Sequence, residues 1–150
     1  MCSKKGSTTQ MSQAEDTRAI ARSYSEATNA KEWDRLRSEI LAPNVEAWSH
    51  SAQHMGRGPE EIISALQHTT GVVRNTRMEI VNEVVDGDQA VLELRIVGIA
   101  HGDPNAKDAA ATPAAEGRPV ALSTCHVYRV QQGKIVHLTT YSDRTWRFQS

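Results

Sequence analysis

The chain is expected to fold as an α+β domain, because its apolar period changes once, from helical to alternating, near Gly71. Two further observations support this. Asp86-Gly87-Asp88 and Gln131-Gln132-Gly133 read as tight turns between long alternating segments, and no repeat or linker divides the 150 residues. Helices followed by a meander of strands predict three N-terminal helices packed on one face of a curved antiparallel sheet. Strong curvature leaves a cavity under the helices, and small molecules bind in such enclosed spaces.

Residues 1–12 are rich in Ser, Thr, Lys and Gln with nothing to bury, and are expected to be a disordered tail ahead of one domain over 13–147. The first helix shows in Ile20, Tyr24 and Ala27, spaced i, i+4, i+7, with Asn29 near its end. Residues 31–41 repeat the helical period with Trp33, Leu36 and Ile40. Ala42-Pro43 then stops them, since the residue before proline is pushed out of the α region. Residues 45–49 form a short strand. Gly58-Pro59-Glu60-Glu61 starts a third helix, with proline in the first turn and acids at the positive end of the dipole; Ile62, Ile63 and Leu66 carry it toward Gly71. Four strands are expected over 74–85, 89–101, 118–130 and 134–144. The Ala/Pro/Asp-rich connection 102–117 lacks aromatic or paired polar groups and is expected to be a mobile loop.

Composition removes several functional classes. Seventeen Lys+Arg against 18 Asp+Glu give a formal charge of −1, which supplies no basic field for a nucleic acid. No apolar run approaches the roughly 20 residues of a membrane span. Cys2 and Cys125 lie too far apart in sequence to suggest a disulfide scaffold or a cysteine zinc site. Residues 1–10 carry no apolar stretch of the secretory kind, so a cytoplasmic protein is expected.

Alternation predicts which strand faces look inward. Leu92, Leu94, Ile96, Gly98 and Ala100 share one face; the other carries Glu93 and Arg95, whose burial would cost several kcal/mol even when paired. The same reasoning turns Met78, Ile80, Asn82 and Val84 inward, against Glu79 and Glu83. It also selects Val136, Leu138, Thr140 and Ser142 on the last strand. On the third, Arg129 in the competing set selects Leu122, Thr124, His126 and Tyr128. The interior is therefore expected to be almost uncharged, suited to a neutral apolar metabolite, with His126 its one titratable group.

Residues 29–37 (Asn-Ala-Lys-Glu-Trp-Asp-Arg-Leu-Arg), with Ile40 and Ala42-Pro43, resemble the second-helix region of scytalone dehydratases. His126-Val127-Tyr128-Arg129 and Asp143-Arg144-Thr145-Trp146 resemble the last strands of those enzymes. The early Trp-Asp and the late Gly-Lys-Ile-Val hairpin are similar to the SnoaL-like polyketide cyclases of the nuclear transport factor 2-like (ketosteroid isomerase-like) superfamily. The resemblance covers residues 16–146. It implies a cone-shaped sheet, an enclosed pocket, a homo-oligomer (dimer or trimer) and cofactor-independent lyase, isomerase or cyclase chemistry.

The catalytic sets of that superfamily do not carry over whole. The Tyr-Asp pair of scytalone dehydratases falls on Thr28 and Asn29, a strand tyrosine near Ser49, the two pocket histidines on Ile80 and Gly98, and the pocket Ser and Asn on Leu122 and Thr124. The ketosteroid isomerase base falls near Ala47 and its buried acid donor on His126. The late-strand aspartate of limonene-epoxide hydrolases falls on Thr140.

The remaining candidates each have two readings. His126 reads as a pocket acid or base, or as a core histidine satisfied by Tyr128 or Tyr24. Tyr24 reads as an oxyanion donor or as packing. Asn29 reads as a group orienting a carbonyl or water, or as a helix terminator. These three are the candidate catalytic residues, with Trp48, Ile80, Leu94, Thr124, Tyr128 and Thr140 as candidate substrate contacts. Asp34 reads as a carboxylate base or as a surface partner of Arg37 or Arg35. His50 and His54, four apart, lack a third ligand at a suitable distance, and neither a metal nor a cofactor is expected. Tyr141, Asp143 and Cys125 are expected to face outward. Two functions stay open: an enzyme using His126 as proton shuttle, and a non-catalytic ligand-binding or assembly domain.

Overall fold

The computed structural model describes residues 3–107 and 115–149, with side chains from residue 13 onward. The central part of the expected mobile loop, residues 108–114, lies outside the described residues.

Helix α1, Ser3–Asn29, buries Thr17, Ala21, Tyr24, Ser25, Ala27 and Thr28 along one stripe. It begins ten residues before the expected domain start. Once a helix is nucleated, each added residue brings one hydrogen bond, so a tail with nothing to bury can continue α1. The left-handed residue at its C-terminus is Lys31 (φ 57°), two positions beyond Asn29. α2, Trp33–Arg35, passes into a π-turn, Leu36–Ile40, that buries Leu36 and Ile40. Helix α3, Pro59–Val72, starts on proline and two glutamates as expected.

The strands are β1 Leu41–Ser49, β2 His54–Arg57, β3 Val73–Asp86, β4 Gln89–Ala100, β5 Pro119–Gln131, β6 Lys134–Ser142 and β7 Arg147–Phe148. Their order is β2-β1-β6-β5-β4-β3, with β7 on the free stretch of β5. The sheet is mixed rather than purely antiparallel, since β1 runs parallel to β6. The helical connection from β1 and β2 through α3 returns the chain to the far edge, leaving β1 free to pair with the last long strand.

Two bulges alter the expected parity. One lies between Ile80 and Asn82 of β3, where Val81 has no partner on β4. The strand flips there: Val84 is 60% exposed, Val85 packs on the core, and Glu83 turns toward α1. Glu83 accepts from Arg22 Nε at 2.9 Å and lies 3.4 Å from Arg18 Nε, so it is half-buried rather than outward. The second bulge, between Arg129 and Val130, buries Ile135 instead of Val136. On β4 and on β5 through Tyr128 the expected inward faces are observed.

Most of the core joins α1, the π-turn and α3 to β4, β5 and β6, around Tyr24, Leu36, Ile40, Leu92, Leu94 and Tyr128. A smaller cluster of Val73, Ile96, Ala100, Val120 and Trp146 closes the other end. The stubs of the 102–117 connection are tied down, contrary to the expected lack of paired polar groups. Asn105 exchanges two hydrogen bonds with the Trp146 backbone (2.7 and 2.8 Å), and Glu116 accepts from Gly102 N at 2.9 Å. No helix among the described residues is long and apolar enough to cross a membrane.

Asn29 joins α1 to the sheet edge. Its Oδ1 accepts from Met78 N–H at 2.7 Å and its Nδ2 donates to Met78 O at 3.1 Å. The amide thus pairs with edge strand β3 as a neighbouring strand would. Asn29→Ala frees both Met78 groups and is expected to cost roughly 1–3 kcal/mol, read as a lower urea midpoint with an unchanged m-value.

Candidate functional site

Between the inner sheet face and helices α1 and α3 lies a cavity of about 720 Å³. Its floor is formed by inward residues of β4, β5 and β6: Ile96, Leu122, Thr124, His126, Leu138 and Thr140. Tyr24, Thr28 and Asn29 of α1 form one wall, and Met78 of β3 extends it. α3 supplies the other through Ile62, Leu66 and Thr69, one face at i, i+4, i+7. That spacing is visible in the sequence, yet α3 was not expected to contribute to the site. His54, Glu60, Glu61 and Arg144 stand at the exposed rim.

Six of the nine expected site residues line this space: Tyr24, Asn29, Trp48, Thr124, His126 and Thr140. Three do not. Ile80 is 39% exposed on β3, the edge strand of the sheet among the described residues. Leu94 is wholly in the core under α1, and Tyr128 is fully buried behind His126. Trp48 touches the cavity only at the sheet's end. It pairs with Thr139, on the opposite face from Ala47 and Ser49, and its indole lies edge-on to His50, which stacks on Tyr141 at 4.2 Å. Asn29 lines the wall, but its amide is engaged by Met78.

Tyr24 and His126 form the polar end of the cavity, their rings edge to face at 6.2 Å. His126 Nδ1 lies 2.9 Å from the Tyr128 hydroxyl, an i, i+2 neighbour on the same strand face. Among the described residues, the one buried side-chain polar atom without a partner is Ser25 Oγ. The Tyr24 hydroxyl and His126 Nε2 have no hydrogen-bond partner among the described residues, and both residues line the cavity. Burial disfavours charge at each group: it lowers the His126 pKa to about 4 and raises both tyrosines well above their ordinary range. At neutral pH all three are therefore uncharged. A neutral imidazole with a pKa near 4 is a weak base, which weakens the expected proton-shuttle role and favours hydrogen bonding.

Among the described residues no carboxylate lines this end of the site. The two lining acids are at the rim, where Glu60 pairs with Arg37 and Glu61 accepts from Arg57 N at 2.8 Å. Asp34 also binds Arg37, at 2.5 Å. Among the described residues no group of three His, Cys, Asp or Glu converges as a metal site. Gly98 lies beside the floor on β4, and a Cβ there would meet Val73 Cγ1 at 2.4 Å and Arg74 O at 2.8 Å. A histidine, which the scytalone dehydratase alignment would put there, has no room.

The SnoaL-like domain family model matches residues 21–138, spanning α1 to β6 and both sides of the cavity. The chain belongs to the SnoaL-like family. Its fold is that of solved members of the ketosteroid isomerase-like, nuclear transport factor 2-like group. IdmH from Streptomyces antibioticus superposes with a TM-score of 0.72 at 20% identity, over 85% of this chain and 91% of that one. A SnoaL-like polyketide cyclase from Agrobacterium tumefaciens gives 0.67 at 18% identity, over 83% and 89%. An LEH-like epoxide hydrolase from Mycobacterium tuberculosis gives 0.65 at 17%, over 87% and 84%. No curated protein matches the chain by sequence.

Proposed function

We propose that this SnoaL-like protein binds a neutral, largely apolar carbonyl- or hydroxyl-bearing metabolite and isomerises, cyclises or dehydrates it without a cofactor. One observation carries the reading: two neutral polar side chains, Tyr24 and His126, line one end of the cavity side by side, among apolar and hydroxyl-bearing neighbours. Two such donors aimed at one oxygen polarise it and stabilise the negative charge that develops on it, the departing proton passing to solvent water at the open rim of the cavity. Thr124 and Thr140 border that oxygen, while Met78, Ile96, Leu122 and Leu138 hold the skeleton.

Mass spectrometry of small molecules retained by the purified protein, followed by incubation, tests this. The expected result is a neutral metabolite converted to an isomer or dehydrated product. Tyr24→Phe should lower kcat about 10²-fold with little change in KM, as loss of one oxyanion donor does. A second reading, binding without turnover, is favoured by the lack, among the described residues, of a carboxylate at the polar end of the cavity; it predicts that the ligand is recovered unchanged.

The same proposal includes a second copy of the chain on the outer sheet face. Val84, Val91 and Val127 stand there in one cross-strand row, with Tyr141 46% exposed nearby. Glu93 and Arg129 share that face and make no ion pair among the described residues, a charge pattern that can complement itself across a two-fold axis. Light scattering should read a dimer for the wild type and a monomer for Val91→Glu; a monomeric wild type would refute it.

A further inference from the structure

We infer that Tyr128 is a positioning residue that selects the tautomer of His126, placing the imidazole proton on Nε2, where it faces the cavity. Tyr128 is fully buried, its ring 5.6 Å from that of Tyr24, and its hydroxyl has one partner among the described residues, His126 Nδ1 at 2.9 Å. The two tautomers differ in what they leave unmade. When Tyr128 O–H donates to Nδ1, the hydroxyl proton and the Nδ1 lone pair are both satisfied, and Nε2–H points into the cavity. When Nδ1–H donates instead, the phenolic proton has no acceptor in a dry interior. An unsatisfied buried donor is costly enough to set a preference of about ten- to a hundredfold.

The consequence is chemical. With Nδ1 occupied as an acceptor, Nε2 offers a proton and no lone pair, so His126 presents the cavity with a donor rather than a base. Together with Tyr24 it makes a pair that recognises an acceptor oxygen, a carbonyl or an enolate. A ligand whose polar end can only donate, such as an ammonium, is disfavoured. This deepens the proposed reading of the same site, yet it concerns the ligand-free protein and can be measured without a substrate.

Long-range proton–nitrogen NMR of ¹⁵N-histidine-labelled protein at pH 7 decides it. The expected spectrum places His126 Nε2 in the protonated, pyrrole-like range and Nδ1 in the unprotonated, pyridine-like range. In Tyr128→Phe, which keeps the ring and removes the hydroxyl, the two signals should move toward each other as the tautomers mix. A wild-type spectrum with the proton on Nδ1, or a variant with unchanged tautomer populations, overturns the inference. If the variant fails to fold, the wild-type assignment alone still decides. Should the spectrum agree while His126→Gln leaves ligand affinity unaltered, the tautomer assignment stands and the proposed oxygen contact fails.

Discussion

Between pH 6.5 and pH 4 the folded state should lose roughly 3 kcal/mol through His126 alone. The unfolded side chain takes up a proton near pH 6.5, whereas the buried one does so only at about 4. Between those values the unfolded chain binds more protons, so acid draws the equilibrium toward unfolding. The contribution is complete above pH 6.5 and is lost as pH falls to 4. Glu83, held below the usual carboxylate range first by its hydrogen bond from Arg22, and Glu60, held there first by Arg37, act in the same direction at lower pH. The interval from pH 6.5 to 5 is therefore most sensitive to His126. Urea melts across it should show a steep loss of stability in the wild type and a shallower one in His126→Gln. Equal slopes would mean that the imidazole is hydrated or charged in the native state.

Gly98→Ala should be among the most damaging single-methyl additions in the chain. The new Cβ would lie 2.4 Å from Val73 Cγ1 and 2.8 Å from the Arg74 carbonyl oxygen. Val73 is fully buried in the smaller core cluster, and the Arg74 carbonyl is backbone, so neither can yield cheaply. The close approach comes from the β3 irregularity between Arg74 and Arg77, where Asn75 takes φ 53° and bends the strand over Gly98. Overpacking of this kind costs typically 1–3 kcal/mol, and the backbone contact puts this site at about 3. A fall in Tm of several degrees is the expected reading. An unchanged Tm would show that β3 can shift away, and that the sheet is looser there than its register implies.

The contrast between strands explains what was legible in the sequence. β4 and the inward part of β5 alternate without interruption, so parity, with Arg129 to choose between the two faces of β5, placed Thr124, His126 and Tyr128 on the inner face. The His-x-Tyr spacing even contains the His126–Tyr128 hydrogen bond, because residues two apart on a strand share a face. Parity failed on β3, where the unpaired Val81 flips everything after it, moving Glu83 inward and Val84 outward. A bulge leaves no mark in an alternation of apolar and charged residues when valines stand on both sides of it, as Val81, Val84 and Val85 do here.

Other features were hidden because their partners are distant in the chain. Asn29 is a residue type that ends helices, and its bonds to Met78 join it to a residue 49 positions further along the chain. The parallel pairing of β1 with β6, and with it the turning of Trp48 to the outer face, depends on a strand almost a hundred residues away. The charge state of His126 is a property of burial, which a sequence pattern can suggest but not measure.

The proposed function requires that Tyr24 and His126 hold one ligand oxygen at the polar end of the cavity. The infrared carbonyl stretch of a ¹³C-labelled cyclic enone, bound at saturation, reads those bonds directly. The expected band lies at lower frequency in the wild type than in an apolar solvent. It should move back toward the solvent value in Tyr24→Phe and in His126→Leu, and furthest in the double variant. A band at the same frequency in all four proteins would contradict the account.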